Sequence, residues 1–407
     1  MRISSLVTRR PLGGRTLFSF SSSAAAAATS GAATIQPAAA VAVGTNAAGE
    51  QTFAFSFHAD DFDTHNFPAL PSASSPLTKS DLLDLYRQMS RIRRLETASD
   101  QLYKSKLIRG FCHLSTGQEA IAAGMESAIT KQDSIITAYR CHGFALGRGA
   151  SATGVIGELM GRTVGTSKGK GGSMHIFGPE FYGGNGIVGA QVPLGAGVAL
   201  AHKYRGIPAT VFALYGDGAA NQGQVFEAYN MAKLWNLPVV FGCENNLYGM
   251  GTAAARAAAS TKYFTRGDYI PGIRVNGMDV LAVREACKIA REYTIANGPL
   301  VMEFVTYRYG GHSMSDPGTT YRSREEIQQT RSTRDCINNL KSRILESGAG
   351  TEEELKAIDK EARVEIDAAV AESKAAPEPP IEALNEDIYA PGTYSPATVR
   401  GCEPFYV

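Results

Sequence analysis

The sequence predicts an α/β fold, a doubly wound parallel sheet followed by C-terminal helices. Three observations predict it. Short apolar runs at Ser134–Ala138, Thr210–Tyr215, Val239–Cys243 and Leu300–Thr306 have the length and content of buried strands. Helical patterns stand between them, the alternation that builds parallel sheets. The runs end in polar clusters, and an open parallel sheet binds its ligands beyond the carboxyl ends of its strands.

The bulk properties exclude several classes. A formal net charge of +1 over 407 residues gives no argument for a nucleic-acid partner. No run of about eighteen bulky apolar residues occurs, so no membrane-spanning helix is expected. Six cysteines are scattered without a CxxC, which suits reduced thiols better than a disulfide framework or a zinc site. There is no GxxxxGK[ST], so an ATPase reading has little support. Residues 1–49 carry Arg2, Arg9, Arg10 and Arg15, no Lys or acid, and long Ser and Ala runs. Such a basic, acid-free, Ser-rich segment marks a disordered organelle transit peptide. Removing it takes four of the 40 basic residues and none of the 39 acidic ones, leaving a mildly acidic chain. Residues 50–76 read as a polar N-terminal arm with Phe53, Phe55 and Phe57 alternating.

Thr78 and Asp81 form a capping-box pattern, and Leu82, Leu83, Tyr86, Met89, Ile92 and Leu95 continue at helical spacing to about Lys104. His113 falls on a break before a second helix beginning near Gln118. The strand at Ser134 ends in Tyr139-Arg140, and Arg140 offers a planar donor fork suited to phosphate or carboxylate. The Gly- and Lys-rich stretch from Gly161 to Gly172 reads as a mobile basic loop, with Lys168 and Lys170 placed to raise the local anion concentration. A glycine-rich segment, Tyr182–Gly189, precedes a helix of small residues through Ala201.

The most informative unit follows. The strand at Thr210 turns at Gly216-Asp217-Gly218, a helix carries Val225, Phe226, Tyr229, Ala232 and Leu234, and the next strand ends at Glu244-Asn245-Asn246. Asp217 and Asn246 then lie at neighbouring strand ends. A carboxylate, an amide oxygen and phosphate oxygens make a hard oxygen set suited to Mg²⁺, and a helix N-terminus after the glycines favours an anion. The unit is a candidate Mg²⁺-diphosphate site. Asp279–Ala296 reads as a helix, and the strand from Leu300 ends in a polar loop containing His312. Ser323–Glu346 and Thr351–Ala376 read as two charged helices closing at Pro377–Pro380, with residues 381–407 as an extension.

GDG followed by NN resembles the thiamine diphosphate motif. With GFCHLSTGQEA, GKGGSMH and GGHSMSDPG, residues from about Leu77 to about Pro380 resemble the alpha-subunit family of the pyruvate dehydrogenase (acetyl-transferring, decarboxylating) component. The resemblance implies a thiamine diphosphate-binding domain over 77–380 and decarboxylation of pyruvate with reductive acetylation of a lipoyl group. It implies Asp217, Asn246 and the Tyr248 carbonyl on Mg²⁺, and Tyr139, Arg140, Gly178, Gly186, Val188, Asp217, Gly218, Ala219, Asn246 and His312 on the cofactor. His113, Arg140 and His312 would bind the substrate carboxylate and stabilise developing charge. Ser313 and Thr320 correspond to regulatory phosphorylation sites, while Ala253 stands at a third. The chain departs from the family pattern at Leu247, where Arg is usual, and at Gly310, where His is usual.

The resemblance also implies partners. The chain has one sheet's worth of α/β repeats and no second comparable half, so a beta subunit is expected to complete the site in an α₂β₂ heterotetramer. A lipoyl-bearing dihydrolipoyl acetyltransferase core, a kinase and a phosphatase are the further partners. The leader points to the mitochondrial matrix, with the plastid stroma as the alternative. Alternative functions are the alpha subunit of a branched-chain 2-oxo acid or acetoin dehydrogenase, or a non-catalytic paralogue that pairs with a beta subunit.

Overall fold

The computed structural model describes residues 40–388; most of the segment read as a transit peptide (1–49) and most of that read as an extension (381–407) lie outside them. The strands are β1 (Ala40–Thr45), β2 (Gln51–Phe55), β3 (Phe62–His65), β4 (Leu77–Thr78), β5 (Ser134–Ile136), β6 (Val211–Gly216), β7 (Val239–Asn245), β8 (Gly272–Asn276) and β9 (Leu300–Val305). The helices are α1 (Lys79–Lys104), α2 (Glu119–Glu126), α3 (His142–Gly147), α4 (Ala152–Leu159), α5 (Gln191–Tyr204), α6 (Gly223–Leu234), α7 (Ala254–Ala257), α8 (Val280–Asn297), α9 (Arg324–Arg334), α10 (Cys336–Glu346) and α11 (Glu352–Ala375).

The main sheet has the order β3-β8-β9-β7-β6-β5. Strands β5 to β9 are parallel, and β3 closes one edge antiparallel to β8. Its period of two sorts the core. Phe212, Leu214, Val240, Met302 and Phe304 face a layer containing α1, α2, α3, α4 and α8. Val211, Ala213, Tyr215, Val239, Phe241 and Val301 face α5 and α6. Being covered on both faces, these strands are continuously apolar, which is why they were legible as buried runs. Helix α5 lies so close to the sheet that a Cβ on Gly195 would stand 2.5 Å from the Ala213 Cβ, so only glycine fits there.

The elements begin and end on recognisable chemistry. Thr78 and Asp81 make the expected capping box at α1. Asp279 caps α8 by accepting from Leu281 and Ala282 N–H. The single helix expected over Ser323–Glu346 is instead two. Asp335 caps α10 through the Ile337 and Asn338 N–H groups while accepting from Arg93 and Tyr309, which fixes a break there.

The segment read as an N-terminal arm is built into the core. β1, β2 and β4 form a second, three-stranded sheet, with β1 inside the segment read as a leader. Phe53 and Phe55 are buried with Leu77, Leu82, Met89 and Ile344, each contributing about 1.5–3 kcal/mol by burial. The loop at Gly161–Gly172, read as mobile from its glycines, is tied at its centre by hydrogen bonds. The buried Glu158 carboxylate accepts backbone N–H groups from Ser167, Gly169, Gly171 and Gly172. Lys168 and Lys170 pair outward with Asp387. No helix among the described residues is long and apolar enough to cross a membrane.

Candidate cofactor and substrate site

The register of the parallel sheet makes the site. Gly216, the last residue of β6, pairs with Glu244 of β7, so the Asp217 turn and the Asn246 turn leave the sheet side by side. β9 lies next to β7, with Val305 beside Asn245, and delivers the loop carrying His312. Three strand ends therefore open into one cleft of about 220 Å³. Tyr139, Arg140, Val188, Asp217, Gly218, Ala219, Asn246, Tyr248 and His312 line it, all singled out from sequence. Gln118, Gln191, Glu244 and Met250 line it too and were not assigned a role from sequence.

Asn246 is oriented by the loop before α2. Its Nδ2 donates to Gln118 Oε1 at 3.2 Å, and its Oδ1 faces the other way, accepting a long contact from Tyr248 N–H at 3.4 Å. Asp217 is buried, and desolvation raises its carboxyl to about 6, offset only in part by backbone N–H groups and by Arg308 and Arg140. Glu244 rises to about 7 for the same reason, with Arg140 pulling the other way. No group of three or more His, Cys, Asp or Glu side chains among the described residues could hold a metal. A cation at this cleft therefore needs a mixed oxygen set of carboxylate, amide and carbonyl. Asp217, Asn246 and the Tyr248 carbonyl supply that chemistry, which suits a hard divalent ion. Neither arginine is close enough to form an ion pair with this buried carboxyl, and a cation beside it would offset the cost of its burial.

The other wall is made of rings and guanidinium groups. His113 lies against Tyr139 with ring centroids 4.3 Å apart and planes tilted by 40°, and edge-on to His312 at 5.4 Å. Burial, with Arg140 close by, lowers His113 to about 3 and His312 to about 4, so both rings are neutral at pH 7. His113 Nδ1 is buried without a partner. Arg140 is buried, and its guanidinium donates to the carbonyls of Leu114 and His312, the latter at 3.0 Å. It joins the two histidine loops while its charge faces the cleft. Backbone pairs zip the same loops: Met314 N–H donates to the Cys112 carbonyl and Tyr309 N–H to the Thr116 carbonyl, at 2.8 and 2.9 Å.

The His312 loop is latched. Asp316 accepts from His312 N–H at 2.7 Å, Gly318 N–H at 3.0 Å and the Tyr321 hydroxyl. Arg308 and Arg322 both donate to the Gly310 carbonyl, and Arg322 lies over the rings of Tyr248, Tyr307 and Tyr321. Gly310, where the family pattern has His, is used here through its backbone. Ser313 is only 4 % exposed and its hydroxyl contacts Ser315 Oγ at 2.8 Å, whereas Thr320 is exposed. Leu247, the other departure, sits at φ 72° and is exposed. His113, Gly178 and Gly186 do not line the cleft; His113 stands behind Tyr139 and His312. Gly178 bridges to Phe181 beside β5, and Gly186 lies against the ring of His175.

A parallel sheet with an acid, an amide and a loop histidine at three adjacent strand ends defines an α/β cofactor-binding enzyme subunit. The dehydrogenase E1 component family model matches residues 87–382. The pyruvate dehydrogenase E1 component subunit alpha, mitochondrial, of Schizosaccharomyces pombe is 63% identical over 335 residues, covering 82% of each chain. The protein of that name from Kluyveromyces lactis is 62% identical over 335 residues, 82% of this chain and 81% of its own. The somatic form from Homo sapiens is 57% identical over 340 residues, 83% of this chain and 87% of its own. The chain belongs to the dehydrogenase E1 component family, and its fold is the thiamine diphosphate-binding one.

Proposed function

We propose that this chain is the alpha subunit of a mitochondrial pyruvate dehydrogenase E1 component. It is an oxidoreductase subunit that works with thiamine diphosphate, decarboxylating pyruvate and passing the acetyl unit to lipoyl groups of an acyltransferase core. The observation that carries the reading is the meeting of Asp217, Asn246, Arg140 and His312 from separate strand ends in one cleft, in a chain this similar to named pyruvate dehydrogenase alpha subunits.

Asp217, Asn246 Oδ1 and the Tyr248 carbonyl would hold Mg²⁺, and through it the diphosphate. The glycine at 218 leaves open space where a side chain would otherwise stand, so backbone at Gly218 and Ala219 can approach phosphate closely. When bound, thiamine diphosphate supplies a carbon nucleophile for the 2-oxo group and a sink for the electron pair left by carbon dioxide. Arg140 holds a fixed positive charge against the substrate carboxylate. His113 and His312, both neutral, each offer an N–H to oxygen that gains charge, without placing a second cation beside the metal. Val188, Ala219 and Met250 make the apolar part of the lining and limit water.

The cleft is half a site. The surface of α5 and α6 exposes Leu194, Leu200, Tyr204, Phe226 and Leu234, an apolar area of the kind that marks a protein contact. A beta subunit would complete the site there in an α₂β₂ assembly. A kinase and a phosphatase would act on Ser313 and Thr320, where a phosphate adds about −1.5 to −2 charges beside an anion site. The test is co-expression with the beta chain and assay of pyruvate-dependent dye reduction with and without Mg²⁺ and thiamine diphosphate. Turnover should need both chains, the metal and the cofactor. Turnover by the purified single chain, or a preference for branched 2-oxo acids over pyruvate, contradicts the reading.

A further inference from the structure

Behind Tyr139 and Arg140 lies a buried Glu–His pair that the cleft does not touch. Glu96 comes from the middle of α1 and His142 from the first turn of α3, and both are fully buried. His142 Nδ1 stands 3.1 and 2.9 Å from the two Glu96 oxygens. On its other side, His142 Nε2 stands 3.0 Å from both the carbonyl and the hydroxyl of Ser173. Glu96 also accepts from Ser115 N–H at 2.9 Å and from its hydroxyl at 2.8 Å. Three loops therefore converge on one pair: the segment with His113 and Leu114, the segment with Tyr139 and Arg140, and the turn at Ser173.

We propose that Glu96 and His142 are positioning residues, a buried clamp that holds His113 and Arg140 in register for the 2-oxo acid. The geometry requires both members. Ser115 is two residues from His113 and next to Leu114, whose carbonyl Arg140 grips. His142 is two residues from Arg140. Holding Ser115 to His142 through one carboxylate fixes the spacing of the two substrate-side groups. The electrostatics lean the same way. Against the desolvation of burial, His142 and Ser115 hold Glu96 below the ordinary carboxylate value, and Glu96 holds His142 above the ordinary imidazole value. Removing one partner would leave buried polar atoms of the other without their hydrogen bond.

The inference rests on the substrate role given to His113 and Arg140, and its test separates the two. Glu96→Gln, His142→Gln and the double variant are prepared with the beta subunit, cofactor and Mg²⁺. Each single variant is expected to lose about 10²-fold in kcat/KM for pyruvate. The half-saturating thiamine diphosphate should stay within about threefold, because the Asp217–Asn246 side is untouched. The double variant should lose less than the product of the single losses, since the two act as one unit. Hydrogen exchange gives the readout that does not depend on turnover. In either single variant, the segments 112–116, 139–147 and 171–176 should exchange faster together, while Gln118 and 239–246 do not. Single variants that keep kcat/KM within twofold, or that loosen only the mutated segment, overturn the clamp. Wild-type enzyme that turns over no 2-oxo acid while the three segments still loosen together overturns the substrate reading and leaves the clamp standing.

Discussion

The two walls of the cleft are built in opposite ways. The wall at β6 and β7 is two short turns at adjacent strand ends, and its functional groups, Asp217 and Asn246, reach the cleft directly from the sheet. The wall at Tyr139, Arg140 and His312, backed by His113, is three loops separated by many residues in the chain and tied together by a buried guanidinium and backbone pairs. The first wall is rigid because the sheet is rigid. The second depends on side chains that never face the ligand, such as Asp316, Arg308 and Glu96. Damage to the first should remove one chemical group; damage to the second should misplace several.

Asp217→Asn is the sharpest way to break that contrast. Activity should vanish, with no loosening of the loops. The folded carboxyl titrates near 6, above its ordinary value of 3.8. The folded chain thus keeps a proton that the unfolded chain releases, and stability falls as pH rises from about 4 to about 6. Without Mg²⁺, the variant should gain about 1–3 kcal/mol over wild type above pH 6 and nothing near pH 4, read as a higher melting temperature. A variant that melts lower at pH 7.5 would mean that Asp217 supports the fold as well.

Asp316→Asn probes the second wall. Losing the charged acceptor of His312 and Gly318 N–H should cost about 10–10²-fold in kcat/KM and speed proteolysis between residues 310 and 320, with little change in cofactor affinity. A smaller effect separates the walls by pH. Proton competition at Asp217 should raise the half-saturating Mg²⁺ as pH falls through about 6, approaching about tenfold per unit. His113 and His312 titrate near 3 and 4, so they add no limb between pH 5.5 and 8. The smallest effect lies away from both walls. Glu158→Gln should cost about 1–3 kcal/mol through the loop N–H groups it satisfies, seen as a lower melting temperature with kcat within threefold. Asp387→Ala, which removes the exposed partner of Lys168 and Lys170, should change neither.

How much the sequence revealed follows the same division. β6, β7 and β9 were legible because strands buried on both faces are continuously apolar, and Asp217 and Asn246 because each follows such a run. β3 and β8 were not singled out. β3 is a four-residue edge strand with no buried residue, and only its partner β8 makes it a strand. Gln118 sat in a quoted motif, but its hold on Asn246 spans 128 residues and carries no spacing signal. Glu96 looked like one more charge on a helix. Its neighbours Leu95 and Ala98 are buried, and only the packing of α1 against α3 shows that this face is closed to water. Glu158 was hidden in the same way, since the glycines that surround it read as freedom until the carboxylate at their centre is seen.

Calorimetric titration of thiamine diphosphate into the assembled alpha and beta chains tests the central claim most directly. Tight binding should require Mg²⁺, and Asp217→Asn should weaken it by at least about 10²-fold while leaving the assembly intact. Equal affinity with and without the metal, or in the variant, would show that the oxygens at these two strand ends do not hold the cation.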